Sequence, residues 1–289
     1  MLLSVLIPTY NYVCTDLVKD LSKQLPQDSE IIVADDGSFD SKCLQKNEEI
    51  NQIMSCTYWK AEHNLGRAII RNRLAEMAQG EWLIFMDCDA RIINPLYLYE
   101  YLKNTDVDVV CGGTATPPQC PSSDVSLRYL YERNYWEHNN ADKRNKSPYS
   151  SFTTFNFMIR KEVFSQIKFD ENIHSYGHED TLFGKALMDK KCSIRHIQNP
   201  LMHIGLENNH LYLKKTEEAM DSLIKLKESL SDTSRLLIAY HKLKKLHLIT
   251  LIKVWHRYTN RLEKNNLCSS KPNLLYFKLY KLGYVSTHI

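Results

Sequence analysis

Two aspartates, Asp87 and Asp89, stand one residue apart directly after Glu81–Met86, a mostly apolar run that is typical of a buried strand. Two carboxylates this close repel each other, and burying them is costly unless a cation is present. The pair therefore fits either a turn or helix cap that faces water, or a site that holds a cation. Mg²⁺ and Mn²⁺ prefer carboxylate and phosphate oxygens, and substrate phosphate often completes their shell. The second interpretation is thus a divalent metal that is bound by Asp87 and Asp89 and that holds a diphosphate.

Three further polar groups could take part in the same chemistry. Asp35–Ser38 has the composition of a β-turn, but two adjacent aspartates after a strand can also bind a nucleobase N–H and a ribose hydroxyl. Gly177–Asp180 fits a helix start, where the helix dipole favours acidic residues, and a carboxylate there could also serve as a general base. His203 by itself is an ordinary histidine, but beside two aspartates it would favour Mn²⁺.

Alternating strands and helices would bring these groups together. Apolar runs predict strands at Leu2–Ile7, Glu30–Ala34 and Glu81–Met86, and Phe152–Arg160 and Cys192–Ile197 also have strand character. Helical spacing of apolar residues predicts helices around Leu17–Leu25 and Gly66–Ala78, and an acidic start predicts one at His178–Lys191. The early part of this order implies parallel βαβ units. In open sheets of this kind, ligands bind beyond the carboxyl ends of the strands. The polar clusters Pro8–Asn11, Asp35–Ser38 and Asp87–Asp89 all follow strands, so we expect them at one edge of the sheet.

The composition of the 289 residues fits one large or two modest domains, with 43% hydrophobic residues and a net charge of +3. Eight cysteines without a repeated spacing fit a reducing compartment, and no apolar run reaches the roughly 18 residues needed to span a bilayer. We therefore expect a cytoplasmic protein. Residues 235–289 differ from the rest, because they carry 11 Lys or Arg and one acidic residue.

Five motifs together resemble the family 2 inverting glycosyltransferases with the GT-A fold. In chain order they are VLIPTYN (Val5–Asn11), IIVADDGS (Ile31–Ser38), HNLGRAIIRN (His63–Asn72), IFMDCDA (Ile84–Ala90) and GHED (Gly177–Asp180). The DCD and GHED motifs are most similar to those of the chondroitin-polymerase-like and galactosyltransferase-like branches. The resemblance covers about residues 1–206.

The resemblance implies an α/β fold of the GT-A type, with a Rossmann-like, mostly parallel central sheet flanked by helices and a C-terminal helical extension. We expect a glycosyltransferase domain at 1–206, with a nucleotide-binding half at 1–111 and an acceptor-side half at 112–206. Residues 207–289 would form a basic helical extension.

The resemblance also assigns roles residue by residue. Nucleotide-sugar contacts are expected from Pro8, Tyr10, Asn11, Asp35, Asp36, Asn64, Arg71 and Asp87. Asp89 would bind Mn²⁺ or Mg²⁺, with His203 and Asp87 as further metal ligands. Asp180 would be the catalytic base, and Glu179 would bind acceptor or donor hydroxyls.

The implied activity is inverting, metal-dependent transfer of a hexosyl or N-acetylhexosaminyl group from a nucleotide-sugar, usually a UDP-sugar. The acceptor would be a hydroxyl of a glycan or lipid-linked glycan, as in polysaccharide biosynthesis. A sugar-nucleotidyltransferase is the alternative enzyme, but it should have a Gly-rich loop after the first strand, where this chain has PTYNYV. A non-catalytic nucleotide-sugar-binding protein should lack a catalytic part, whereas Asp89, Asp180 and His203 are all present. The QxxRW motif of processive membrane synthases is absent from the sequence.

The basic C-terminal segment allows two interpretations. Between Arg235 and Lys264 apolar residues recur at helical spacing, with Lys and Arg mainly between them, and a second apolar run follows at Leu274–Leu282. The segment could be a helical appendage packed on the core. It could also lie on anionic lipid at the inner face of a membrane, as a peripheral contact through 235–289. Without a recognised nucleic-acid motif, we expect no nucleic-acid partner.

Overall fold

The computed structural model describes residues 2–172 and 177–289. These residues form two compact units. Unit 1 consists of the described residues within Met1–Ala115, Asn139–His174 and Phe183–Gly205, and unit 2 of those within Thr116–His138, Ser175–Leu182 and Leu206–Ile289. The predicted domain boundary near residue 206 stays a prediction.

The strands are β1 (Leu3–Thr9), β2 (Glu30–Asp35), β3 (Cys56–Lys60), β4 (Trp82–Met86), β5 (Ala90–Arg91), β6 (Val109–Cys111), β7 (Thr114–Ala115), β8 (Asn156–Arg160), β9 (Ile194–His196) and β10 (Leu201–His203). The α-helices are α1 (Thr15–Ser22), α2 (Ser41–Glu48), α3 (Arg67–Met77), α4 (Tyr97–Leu102), α5 (Ser126–His138), α6 (Ala141–Asn145), α7 (Lys161–Ile167), α8 (Glu179–Asp189), α9 (Asn209–Lys225), α10 (Arg235–Lys245), α11 (Ile249–Leu267) and α12 (Leu274–His288).

The central sheet of unit 1 has seven strands in the order β3-β2-β1-β4-β8-β6-β9. Strands β1, β2, β3 and β4 pair in parallel, and β8 is antiparallel to both of its neighbours. Helices cover both faces: α1 and α4 contribute to the core on one face, and α3, α7 and α8 to the core on the other. This mostly parallel sheet flanked by helices confirms the predicted fold class, with helices α9–α12 forming the predicted C-terminal helical region.

Most of the predicted elements are confirmed, but one strand differs and several short elements were not predicted. The expected strand at Phe152–Arg160 begins only at Asn156 and runs antiparallel, so it does not extend the βαβ series. Five strands were not predicted, because each is short or interrupted by polar residues: β3, β5, β6, β7 and β10. The helices α2, α4, α6 and α7, each of eight residues or fewer, were not predicted either.

A second sheet of three short strands, in the order β5-β10-β7, belongs to the same unit. Strand β10 is antiparallel to β5 and parallel to β7. Its register pairs His203 with Ala90, the residue that follows Asp89. The small sheet therefore sets which side chain of β10 lies beside the end of β4.

Unit 2 is helical, and its core is apolar. Buried side chains from five helices meet there, including Leu127 of α5, Leu213 and Met220 of α9, Leu237 of α10, Leu267 of α11 and Phe277 of α12. The amphipathic stretch expected from Arg235 to Lys264 forms two helices. The helix is interrupted between Lys245 and Ile249, where His247 has a φ of 57°. In the described part of the chain, no helix is both long and apolar enough to cross a membrane.

A buried arginine joins separate segments of unit 1. Arg144, on α6, donates through Nη2 to the Ile197 carbonyl at 2.8 Å and through Nη1 to the Asn139 carbonyl at 2.8 Å. Its Nε donates to His196 Nδ1 at 3.2 Å, and His196 Nε2 lies 3.0 Å from the Pro148 carbonyl. His196 is 2% exposed. Burial is the main reason that the pKa of His196 is lowered to about 4, and the nearby Arg144 charge adds to the effect.

We expect this histidine to make folding sensitive to acid. Between about pH 6.5 and about pH 4, unfolded chains bind a proton at His196 that folded chains do not, so the free energy of unfolding should fall as the pH drops through this window. The contribution should be at most about 3 kcal/mol. Urea unfolding at several pH values measures it. His196→Gln should reduce the pH slope, while His210→Gln, at an exposed position, should keep it. A full slope in His196→Gln would contradict the assignment.

Candidate functional site

Asp89 and His203 lie together at the end of β4. His203 Nε2 is 3.1 Å from Asp89 Oδ2, although the two residues are 114 positions apart in the chain. The Ile204 amide also donates to the Asp89 carbonyl at 2.9 Å. His203 is 3% exposed, and the Phe155 ring packs edge-on against its imidazole with centroids 5.3 Å apart. The structure therefore brings together two of the three residues that were predicted as metal ligands, while Asp87, the third, contacts Arg71.

Gly205 makes room for the Asp89 carboxylate. A Cβ atom at position 205 would stand 2.6 Å from Asp89 Cβ and 2.7 Å from Asp89 Cγ, which is closer than such atoms can approach. Any larger residue would have to displace the carboxylate. The sequence reasoning missed Gly205, although a glycine two residues after a possible ligand is a signal for close backbone approach.

Asp87 is held by a buried arginine. Arg71 Nη2, on α3, donates to Asp87 Oδ1 at 2.7 Å, and the side chains are 5% and 34% exposed, respectively. The guanidinium carbon also lies 5.7 Å from the centroid of the Phe169 ring. Within residues 2–172 and 177–289, the buried Arg71 Nε and Nη1 have no hydrogen-bond partner. The predicted site residues Arg71 and Asp87 thus form one ion pair whose accessible end is the carboxylate.

The loops that follow β1 and β2 are tied together by side-chain hydrogen bonds. The Asn11 amide donates to Ser38 Oγ at 2.7 Å, and Asn11 Oδ1 accepts from the amides of Phe39 and Asp40, both at 3.0 Å. Tyr10 and Phe39 are exposed aromatic residues whose ring centroids are 6.2 Å apart. Phe39 was not predicted as a site residue, and its large exposed surface is visible only in the structure.

Asp35 and Asp36 have different surroundings. Asp35 is fully buried, and its two oxygens accept from the Ser38 amide and the Tyr58 hydroxyl, both at 2.7 Å. This arrangement favours a supporting role for Asp35 in the turn, and its contact with a nucleotide stays a prediction.

The Asp36 carboxylate accepts from the amides of Leu65 at 2.7 Å and Gly66 at 3.1 Å, and Asn64 Nδ2 donates to the Asp36 carbonyl at 3.1 Å. Burial raises the pKa of Asp36, although the two amide donors oppose the shift. Gly37 has a φ of 74°, and a Cβ there would be 2.7 Å from the Asn64 nitrogen. Asp36, Gly37 and Asn64 therefore form one closely packed turn at the carboxyl end of β2.

Tyr12 is a further residue of this region that the sequence reasoning missed. Its pKa is raised to about 12, first because it is partly buried and then because the Asp89 carboxylate lies nearby. The phenol is therefore protonated at neutral pH and can act as a hydrogen-bond donor.

Glu179 and Asp180 lie in unit 2, in the first turn of α8, while the other predicted site residues belong to unit 1. Both are partly exposed. The preceding His178 has a φ of 70°, and its Nε2 is 3.0 Å from the Ala219 carbonyl. Burial lowers the pKa of His178, which favours a neutral imidazole there.

Asp89 and His203 offer two donors to a cation rather than a complete protein shell. Among the described residues, no cluster of three or more His, Cys, Asp or Glu side chains could hold a metal ion. One carboxylate oxygen and one imidazole nitrogen suit Mn²⁺, and substrate phosphate and water commonly fill the remaining positions around such ions. The pair therefore fits a metal that arrives with or is completed by a phosphorylated ligand.

This chain is similar in sequence to other proteins and similar in fold to solved structures. Glycosyltransferase GlyG from Streptococcus pneumoniae is 25% identical over 202 residues, which cover 66% of each protein. S. aureus TarS 1-349 in complex with UDP-GlcNAc has a TM-score of 0.55 at 18% identity, covering 100% of this chain and 91% of that one. Mannosyltransferase PcManGT from Pyrobaculum calidifontis, in complex with GDP-Man and Mn²⁺, has a TM-score of 0.53 at 17% identity. The match covers 77% of this chain and 63% of the mannosyltransferase chain.

The matches to curated relatives are partial, since the chain spans from 27% to 66% of their length. The family assignment rests on a longer match. The sequence model of the protein family Glycosyl transferase family 2 matches residues 4–168, which is more than half of the sequence. These residues include β1–β4 and the Asp87–Asp89 motif. The chain belongs to glycosyl transferase family 2.

Proposed function

We propose that this protein is an inverting glycosyltransferase that moves a hexosyl or N-acetylhexosaminyl group from a nucleotide-sugar to a hydroxyl of a glycan or lipid-linked glycan. The observation that carries the proposal is the 3.1 Å contact between Asp89 and His203 in a member of glycosyl transferase family 2. We take a UDP-sugar as the donor. The complexes of TarS with UDP-GlcNAc and of PcManGT with GDP-Man support a nucleotide-sugar. The DCD and GHED motifs support a chondroitin-polymerase-like or galactosyltransferase-like branch.

The donor would lie at the carboxyl edge of the central sheet. Tyr10 and Phe39 offer exposed rings for a nucleobase, and the turn of Asp36 with Asn64 supplies polar groups beside them. Asp87 is about one-third exposed and is oriented by Arg71, so its carboxylate can bind a ribose or sugar hydroxyl. Pro8, near the end of β1, and Asn11, just after it, would line the same edge.

Asp89 and His203 would hold Mn²⁺ or Mg²⁺. When bound, the cation would supply positive charge that stabilises the leaving diphosphate. His203 can offer Nε2 only as the neutral imidazole, and Gly205 keeps the space in which the Asp89 carboxylate stands. Asp87 stays a further candidate ligand, although its Oδ1 already accepts from Arg71.

Asp180 would accept the proton of the attacking hydroxyl. The hydroxyl oxygen forms a bond to the anomeric carbon while the bond to the diphosphate oxygen breaks, so one displacement inverts the configuration. Glu179, its neighbour in the first turn of α8, would hold a hydroxyl of the acceptor or donor.

Metal-dependent transfer is the direct test. We expect turnover with one of a panel of UDP-, GDP- and dTDP-sugars in the presence of Mn²⁺, loss of turnover in EDTA and a β-linked product by NMR from an α-linked donor. Asp89→Asn keeps the shape of the side chain but removes its charge, so turnover should fall by about 10²-fold or more.

Asp106→Asn, which changes an exposed carboxylate of the same unit, is the control and should keep full turnover. Full activity in excess EDTA would contradict the metal requirement. If no donor in the panel gave turnover or thermal stabilisation, the proposed substrate class would be contradicted. An α-linked product would contradict inversion.

The base is tested by Asp180→Asn, which keeps the size of the side chain but cannot accept the proton. Turnover should fall by about 10² to 10⁴, the usual range for loss of general-base catalysis. Binding of UDP, measured by calorimetry, should stay close to that of the unmodified protein. A larger loss of turnover in Glu179→Gln than in Asp180→Asn would show that the two roles are reversed.

The support of Asp87 by Arg71 is tested through stability. Asp87→Asn would leave the buried guanidinium without its counter-charge, so the free energy of unfolding should fall by about 2 kcal/mol. Asp106→Asn is again the matched control, because Asp106 binds Arg195 with two hydrogen bonds at the surface, and its loss should cost much less. Equal losses in urea unfolding would show that burial of Arg71 does not matter.

A further inference from the structure

Helix α11 carries an apolar stripe that no part of unit 2 covers. The stripe consists of Leu251, Val254, Tyr258 and Leu262, which recur every three or four residues and therefore share one side of the helix. Their exposed fractions are 64%, 50%, 80% and 68%. Single exposed apolar residues are common on protein surfaces, but a row of four large ones is not.

The opposite side of α11 is packed and polar, which fixes the orientation of the stripe. His256 Nδ1 lies 3.1 Å from Glu263 Oε2, Thr259 Oγ1 donates to Glu263 Oε1, and Leu267 is fully buried. Gly283 of α12 lies against His256, where a Cβ would be 2.5 Å from the imidazole Cγ. Rotation of α11 about its axis, which would bury the stripe in the core of unit 2, would therefore expose the hydrogen bonds of His256, Thr259 and Glu263 to water.

Basic residues lie along one flank of the stripe. Lys253, Arg257 and Arg261 follow one another at four-residue steps and so share one row. At about 100° of rotation per residue, this row falls between the stripe and the packed side that carries His256 and Glu263. In the connection between α10 and α11, Leu246 and Leu248 are 65% and 39% exposed. The last turn of α10 carries Lys242, Lys244 and Lys245.

The surface charge of this segment has one sign. Residues 235–289 contain 11 Lys or Arg and a single acidic residue, Glu263. Glu263 is 2% exposed and is held by His256 and Thr259. Within residues 235–289, all of which the structure describes, no acidic side chain therefore offsets the positive charge at the surface. From outside the segment, Glu217 of α9 pairs with Lys264, their charged atoms 2.7 Å apart.

We propose that the α11 stripe and its basic flank bind the surface of an anionic lipid bilayer, with the helix lying in the plane of the headgroups. An apolar row beside a basic row matches a surface that presents hydrocarbon below negative headgroups. A second copy of the chain would match the apolar row but would bring two positively charged segments together, which is unfavourable. The binding requires neither a donor nor a metal, so it stands or falls independently of the proposed function.

Vesicle flotation tests the proposal with the full-length protein and no nucleotide. Binding is expected to vesicles of phosphatidylglycerol with phosphatidylcholine, to weaken as salt rises, and to be absent with phosphatidylcholine alone. Lys253→Gln, Arg257→Gln and Arg261→Gln together should lower the partition coefficient by about fivefold for each charge, or about a hundredfold in total. Leu251→Ser, Tyr258→Ser and Leu262→Ser together should lower it by about tenfold or more.

The matched control removes three exposed lysines from unit 1, with Lys42→Gln, Lys146→Gln and Lys190→Gln. It should bind like the unmodified protein. An equal loss in this control would show that total charge, and not the α11 surface, drives binding. Unchanged binding in the serine variant, or no binding of the unmodified protein to anionic vesicles, would overturn the proposal. So would a dimer in solution that the serine variant abolishes, because the stripe would then be covered by a second copy. Circular dichroism establishes that each variant is folded.

Discussion

The contact between Asp89 and His203 depends on the pairing of β5 with β10. A strand as short as β10 has few hydrogen bonds of its own, so its position is set by its two partners, β5 and β7. A shift of one residue would turn His203 to the other face of the small sheet and move the backbone of Gly205 relative to the Asp89 carboxylate. The chemistry at the end of β4 thus rests on a register that is specified by chain segments far apart in sequence.

The carboxylates near the sheet edge are each held by partners of their own. Asp35 is held by an amide and a phenol, Asp36 by two amides of the next loop, and Asp87 by a guanidinium. Asp89 faces an imidazole, a partner that can also be a metal ligand. Since burying unpaired carboxylates together is costly, these separate partners explain how one edge of a sheet can contain several acids.

The sequence predicted the parts of this arrangement that depend on local pattern. β1, β2 and β4 were predicted because each is a continuous apolar run that ends at a turn, and α3 because its apolar residues recur at helical spacing. β3 was missed because Thr57 and Lys60 interrupt its apolar character at the sheet edge. The environment of Asp35 and the room provided by Gly205 could not be predicted, since both depend on contacts between distant segments rather than on the residues nearby.

The core of unit 2 includes a helix from the middle of the chain. Leu127 of α5 is fully buried beside residues of α9 and α12, and its amide donates to Asn209 Oδ1 at 2.8 Å. Helices α9–α12 are therefore not a detachable tail. A chain shortened to residue 206 would leave the apolar side of α5 in water, so a loss of solubility or activity on truncation would reflect a broken folding unit. The role of this region is better studied by substituting exposed residues than by deleting the segment.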